Sequence, residues 1–174
     1  RATNILVDCP LTIPNVLHVF KTYCPTIVFA VPLIVEKIAH IAASKTSSPT
    51  EYNKELHRLF GGKVRELLIG GAALKQDIEN GLINAKFPLG AGYGMTELSG
   101  AAITSSTIFN KLGSVGIPFP LNSVGIFKEG TDEELPVGEI GEVCINSPTM
   151  MYGYLDNEEE EKKVRKIHSD GTVW

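Results

Sequence analysis

Two apolar runs in this chain end abruptly in glycine. Val64-Arg65-Glu66-Leu67-Leu68-Ile69 meets Gly70-Gly71-Ala72-Ala73, and Phe87-Pro88-Leu89 meets Gly90-Ala91-Gly92-Tyr93-Gly94. Val64–Ile69 reads as a strand and Phe87–Gly92 as a short strand that enters a glycine-rich turn, and a helix is expected between them from about Lys75. Strands alternating with helices imply a largely parallel sheet covered by helices. Ligands on such sheets sit outside the carboxyl ends of the strands, which is where both glycine clusters fall.

The upstream residues follow the same alternation. Pro14 opens a helix that carries Val16, Val19, Phe20 and Tyr23 at helical spacing, and Thr26–Val31 is a continuous run rich in β-branched residues. That run reads as a strand buried on both faces. Pro32 starts a second helix with Ile34, Ile38 and Ile41 on one side. A third begins at Thr50-Glu51, carries Leu56, Leu59 and Phe60, and stops at Gly61-Gly62. After Leu112 the texture changes to short apolar pieces punctuated by glycine. Val124–Phe127 and Glu142–Asn146 read as strands, Glu129–Glu134 as a turn, and Asn157 as the cap of a last helix from Glu158 to about Lys166. The expected fold class is therefore α/β: a mostly parallel sheet flanked by helices, followed by a small, barrel-like antiparallel β subdomain. The expected division is 1–112 and 113–174.

The chain has 174 residues, of which 43% are hydrophobic and 21% charged, enough to bury a core. A formal charge of −4 argues against nucleic acid as a partner, since phosphates demand a basic face. The basic run Lys162–Lys166 follows four glutamates and reads as a solvated helix face. Three cysteines (Cys9, Cys24, Cys144) without metal-like spacing point to a reducing, cytoplasmic compartment. The longest apolar run is broken by Pro32, Glu36 and Lys37, so no membrane span is expected, and a peripheral membrane contact is left open. Arg1-Ala2-Thr3 at one end and Trp174, directly after the turn at Ser169-Asp170-Gly171, at the other lead to the expectation of a fragment of a larger domain.

The richest chemistry lies in Gly92-Tyr93-Gly94-Met95-Thr96-Glu97. Glycine lets backbone approach a flat ligand closely, an aromatic ring offers a face to a purine, and a hydroxyl beside a carboxylate suits a phosphate and a hard cation. The plainer alternative is a strand–turn–helix junction in which Thr96 is a local cap. Gly70-Gly71-Ala72-Ala73 is likewise either a tight turn or the second wall of a flat slot. Two other nucleotide motifs fail: Gly90-Ala91-Gly92-Tyr93-Gly94 sets its third glycine one place early for a dinucleotide fold, and no Gly-x-x-x-x-Gly-Lys-Ser/Thr loop occurs. His18, His40, His57 and His168 are dispersed and nominate no base. Met150, Met151, Tyr152 and Tyr154 read as packing residues.

Taken in order, these segments resemble the adenylate-forming superfamily of acyl-CoA synthetases, luciferases and peptide-synthetase adenylation domains. Ile69–Leu74 is similar to the family's glycine-rich strand end and Gly92–Glu97 to its signature pentapeptide. Gly113–Pro118 is similar to the segment that follows. Gly138–Ile145 with Met151–Leu155 resembles its glycine-glutamate-to-tyrosine motif, and Ser169–Trp174 the lead-in to a Thr-Gly-Asp. Phe60–Ala72 and Ala30-Val31-Pro32 are most similar to bacterial long-chain fatty acid–CoA ligases. The resemblance implies an internal fragment of the large N-terminal domain, with ATP/AMP, Mg²⁺ and CoA as ligands. The implied reaction joins ATP and a fatty acid into an acyl-adenylate, and CoA then displaces AMP. It implies that Tyr93 stacks on adenine between Gly92 and Gly94, that Gly70, Gly71 and Ala72 face the nucleotide, that Thr96 binds the α-phosphate, and that Glu97 binds the metal. Thr96 and Glu97 are thus the catalytic candidates. Three family parts, the Ser/Thr/Gly-rich phosphate loop, the Thr-Gly-Asp and the C-terminal domain, do not occur in these residues, so the isolated chain is expected to be inactive. A ligase for another carboxylic acid and a non-catalytic nucleotide-binding or scaffold relative stay open as alternatives.

Overall fold

A computed structural model describes residues 3–8 and 10–174. The readings that rest on Arg1, Ala2 and Cys9 lie outside these residues. The described chain forms two compact units, one made by residues up to 92 with 105–116 and the other by 93–104 with 117–174. Residues 93–104, grouped with 1–112 in the sequence reading, thus cluster with the later part of the chain.

The first unit holds three parallel strands, β1 (Ile27–Ala30), β2 (Glu66–Ile69) and the start of β3 (Leu89–Met95). Four helices accompany them: α1 (Ile13–Tyr23), α2 (Pro32–Ala43), α3 (Pro49–Leu59) and α4 (Gln76–Asn84). Proline in the first two positions starts α1, α2 and α3, where its missing N–H costs no helical hydrogen bond. Gly61 and Gly62 end α3 with φ of +88° and +84°, and the Gly62 N–H returns to the His57 carbonyl at 2.6 Å.

One core joins the helices to the sheet. Val35, Ile38, Leu56, Phe60, Leu67 and Leu82 are almost wholly buried within it. Each such side chain contributes about 1.5–3 kcal/mol by leaving water. On the sheet, Val28, Leu67 and Leu89 share this covered face through the parallel register. Here β1 departs from expectation. It was read as buried on both faces, yet Ile27 is 54% and Phe29 80% exposed. β1 ends the strand order, and the helices gather on the Val28 side. Composition matched a two-sided strand because it does not reveal which face is covered.

A second correction concerns the glycine-rich segment. No turn follows Gly92: the strand expected over Phe87–Gly92 continues through Gly94 to Met95 as β3. None of Gly90, Gly92 and Gly94 has a positive φ. Space, not backbone freedom, selects two of them. A Cβ at Gly90 would lie 2.7 Å from both Leu68 Cδ2 and the Ser105 carbonyl oxygen. One at Gly94 would lie 2.0 Å from the Gly100 carbonyl oxygen.

In the second unit, β3 ends in a single 3-10 turn, Thr96–Leu98, followed by β4 (Gly100–Thr104), which pairs antiparallel with β5 (Ile117–Pro118). β6 (Ser123–Phe127) and β7 (Glu142–Asn146) form a two-stranded antiparallel sheet with Gly125 opposite Cys144. The antiparallel part is thus small, as expected, but not a closed barrel among the described residues. Asn157 caps the last helix, α5 (Glu158–Val164), by accepting from the Glu160 N–H. The basic run answers the glutamates there, with Lys163–Glu159 at 3.6 Å and Arg165–Glu161 at 3.2 Å. No helix of the described residues is long and apolar enough to cross a membrane.

Candidate functional site

In the first unit, β2 delivers the chain into Gly70-Gly71-Ala72. Gly71 has φ of +85°, a conformation that L side chains resist, and it and Ala72 are exposed. Gly70 sits beside Gly92: a Cβ there would contact the Gly92 carbonyl oxygen at 3.5 Å. The ends of two neighbouring parallel strands therefore bring two of the candidate glycines together, with no side chain between them.

In the second unit, Tyr93 is half-buried and packs against a small cluster of Leu98, Ala102, Ile103 and Ile145. Thr96 is exposed at the start of the 3-10 turn, and Glu97 follows it, half-buried. Ser99 closes the turn with φ of +60°, uncommon for a residue with a side chain, and its N–H bonds the Thr96 carbonyl at 3.0 Å.

The residues around Glu97 are held by a strap from a distant part of the chain. The Thr149 hydroxyl donates to the Leu98 carbonyl at 2.8 Å, and the Ser99 hydroxyl to the Thr149 carbonyl at 2.9 Å. The Met151 N–H donates to the Glu97 carbonyl at 2.7 Å, and the Tyr154 hydroxyl to Glu97 Oε1 at 2.6 Å. The Tyr154 bond, helped by the backbone of Glu97 itself, holds the Glu97 carboxyl below the usual carboxylate range. The same bond pushes the Tyr154 phenol upward. Beside them lies a cavity of about 140 Å³ whose wall includes Met95, Leu98, Cys144, Met151 and Trp174.

A carboxylate in this setting suits a hard cation. It is ionised, reachable by solvent and only partly engaged. No group of three or more His, Cys, Asp or Glu among the described residues could cage a metal. A lone carboxylate fits Mg²⁺ that keeps waters and phosphate oxygens as its other ligands.

A family model described as AMP-binding enzyme matches residues 1–155. The chain belongs to that family. Among curated relatives, a probable 4-coumarate–CoA ligase 2 from Dictyostelium discoideum is 39% identical over 112 residues, covering 62% of this chain and 20% of the relative. Long chain acyl-CoA synthetase 8 from Arabidopsis thaliana is 33% identical over 128 residues, covering 70% of this chain and 17% of the relative. The matched stretches thus span about a fifth of the length of these relatives. Among solved structures, a long-chain-fatty-acid-CoA ligase from Archaeoglobus fulgidus matches with a TM-score of 0.73 at 18% identity, over 93% of this chain and 32% of that one. At that identity the likeness is one of fold.

Tyr93, Thr96 and Glu97 stand out in the sequence, and the strap does not. Tyr154 was read as packing, although it lies in Met151–Leu155, a segment singled out by the resemblance. Its bond to Glu97 spans 57 residues, a separation that no local periodicity reports.

Proposed function

We propose that this chain is the nucleotide-handling part of an AMP-forming CoA ligase that activates a carboxylic acid with ATP and then forms its CoA thioester. The observation that carries the reading is Glu97. An ionised carboxylate next to the exposed Thr96 hydroxyl, at the end of a strand rich in glycine, is a fitting end-point for a metal–triphosphate. The activity is that of a protein of the relatives' length, and residues 1–174 alone are taken to be inactive.

In this reading Tyr93 offers its ring to adenine, Gly92 leaves the base unobstructed, and Gly94 lets the strand lie against the Gly100 backbone beside it. Gly70, Gly71 and Ala72 admit nucleotide at the other strand end. Thr96 donates to the α-phosphate. Glu97 holds Mg²⁺, which when bound neutralises triphosphate charge as the substrate carboxylate approaches. We take the acid to be a long-chain fatty acid, a choice supported by the Phe60–Ala72 and Ala30–Pro32 segments. We place the protein in the cytoplasm, supported by the free thiols of Cys24 and Cys144.

The full-length protein should release pyrophosphate from ATP when given Mg²⁺ and a long-chain fatty acid, and do so faster than with 4-coumaric acid. Glu97→Gln should reduce that release by about 10²-fold or more, the scale on which charge stabilisation is lost with one polar group. Release at the wild-type rate by Glu97→Gln would remove Glu97 from the metal role.

A further inference from the structure

Glu97 stands on a single 3-10 turn, which by itself leaves a glutamate side chain free to rotate. The strap from Ser147 to Tyr154 removes that freedom. It is itself braced: the Ser147 hydroxyl, buried, donates to Asn122 Oδ1 at 2.8 Å and accepts from the Thr149 N–H at 3.2 Å. Three bonds then join the strap to the carbonyls and hydroxyl of residues 97–99, and they engage backbone or Ser99, not the Glu97 carboxylate. One contact reaches the carboxylate from the strap: the Tyr154 hydroxyl on Oε1.

We infer that Tyr154 is a positioning residue for the metal site, fixing the Glu97 carboxylate in one orientation and leaving its remaining lone pairs for the cation. The inference rests on the reading of Glu97 as metal ligand and adds a residue to it. A donor to one carboxylate oxygen does two things. It stops rotation about the terminal torsion, and it favours the ionised form over the protonated one. The lowered Glu97 carboxyl and raised Tyr154 phenol agree with that bond in direction. The other charged groups on the cavity are committed elsewhere: Glu142 pairs with Lys166, and Arg165 with Glu161. Glu160 adds negative potential near the phenol, which also keeps it protonated. Tyr154 is therefore a donor over the whole neutral range.

The test uses the full-length protein with a non-hydrolysable ATP analogue and Mn²⁺, whose binding is read by electron paramagnetic resonance. Tyr154→Phe keeps the ring and deletes the donor. It should weaken Mn²⁺ binding about 10-fold, the usual scale for losing a partner of a metal ligand. Affinity for the analogue without metal should be unchanged. In turnover, the Mg²⁺ requirement should rise while kcat at saturating Mg²⁺ is retained. Mn²⁺ affinity within about twofold of wild type in Tyr154→Phe would overturn the inference. Glu97→Gln serves as the reference for the underlying reading. If Glu97→Gln loses Mn²⁺ and Tyr154→Phe does not, the positioning role alone fails. If both bind Mn²⁺ as wild type does, the metal role of Glu97 fails as well.

Discussion

Gly94 shows how one residue type is retained for a reason its sequence context hides. A glycine between Tyr93 and Met95 suggested freedom for a turn and approach to a ligand. In the fold it is extended, and the space its missing side chain leaves is filled by the backbone of Gly100 and Ala101, within 2.0–2.7 Å of any Cβ. Backbone cannot rotate out of the way as a lysine tip can, so β3 and β4 must part to admit a methyl group. Gly94→Ala should therefore cost about 1–3 kcal/mol, the range for overpacked sites, read as a lowered unfolding midpoint. An unchanged midpoint would mean that the strands separate freely. Glu97 and Tyr93 stand out in the sequence because their chemistry is unusual for a strand end. Tyr154 was not, because its meaning is a bond to a residue far along the chain.

At the scale of elements, proline and glycine punctuation carried most of what was read correctly. Pro32, Gly61-Gly62 and Asn157 fall at helix ends as expected, and α3 begins at Pro49, one residue before the expected Thr50, since each acts through its own backbone or a bond within a turn. What failed was the sidedness of β1, which depends on elements elsewhere. α3 carries a testable electrostatic feature. Glu55 lies 2.5 Å from Lys45 and 2.7 Å from Arg58, and hydrogen bonds from Arg58 and then Lys45 depress its carboxyl from 4.5 to about 2. A depressed folded-state value contributes stability above pH 4.5 that is lost as pH falls towards about 2. Lys45 and Arg58 are largely exposed, so screening limits the contribution to about 1 kcal/mol or less. Glu55→Gln should lower stability at pH 7 by that small amount and leave it unchanged near pH 2. Acid titrations that match wild type across the whole window would show the pairs to be energetically silent.

At the scale of the whole molecule, ordered segments told more than any one of them. Gly70-Gly71-Ala72, Gly92–Glu97 and Met151–Leu155 each admit a plain structural account, and their succession along the chain is what resembled a family. The family match over residues 1–155 agrees with that reading. The grouping of residues 93–104 with 117–174 was not legible, because a strand that leaves one compact unit for another looks continuous in sequence. Acyl chain length was not legible either: pockets that distinguish acyl chains differ by only about 1–3 kcal/mol per methylene, and shape on that scale leaves no motif. The most direct measurement is a crystal structure of the full-length protein with a non-hydrolysable ATP analogue and Mn²⁺, located by anomalous scattering. The account predicts manganese on Glu97, with Tyr154 still bonded to its other oxygen, and adenine lying on the Tyr93 ring. Manganese bound away from Glu97, with the Tyr93 ring turned wholly onto Leu98 and Ile103 and no base beside it, would contradict it.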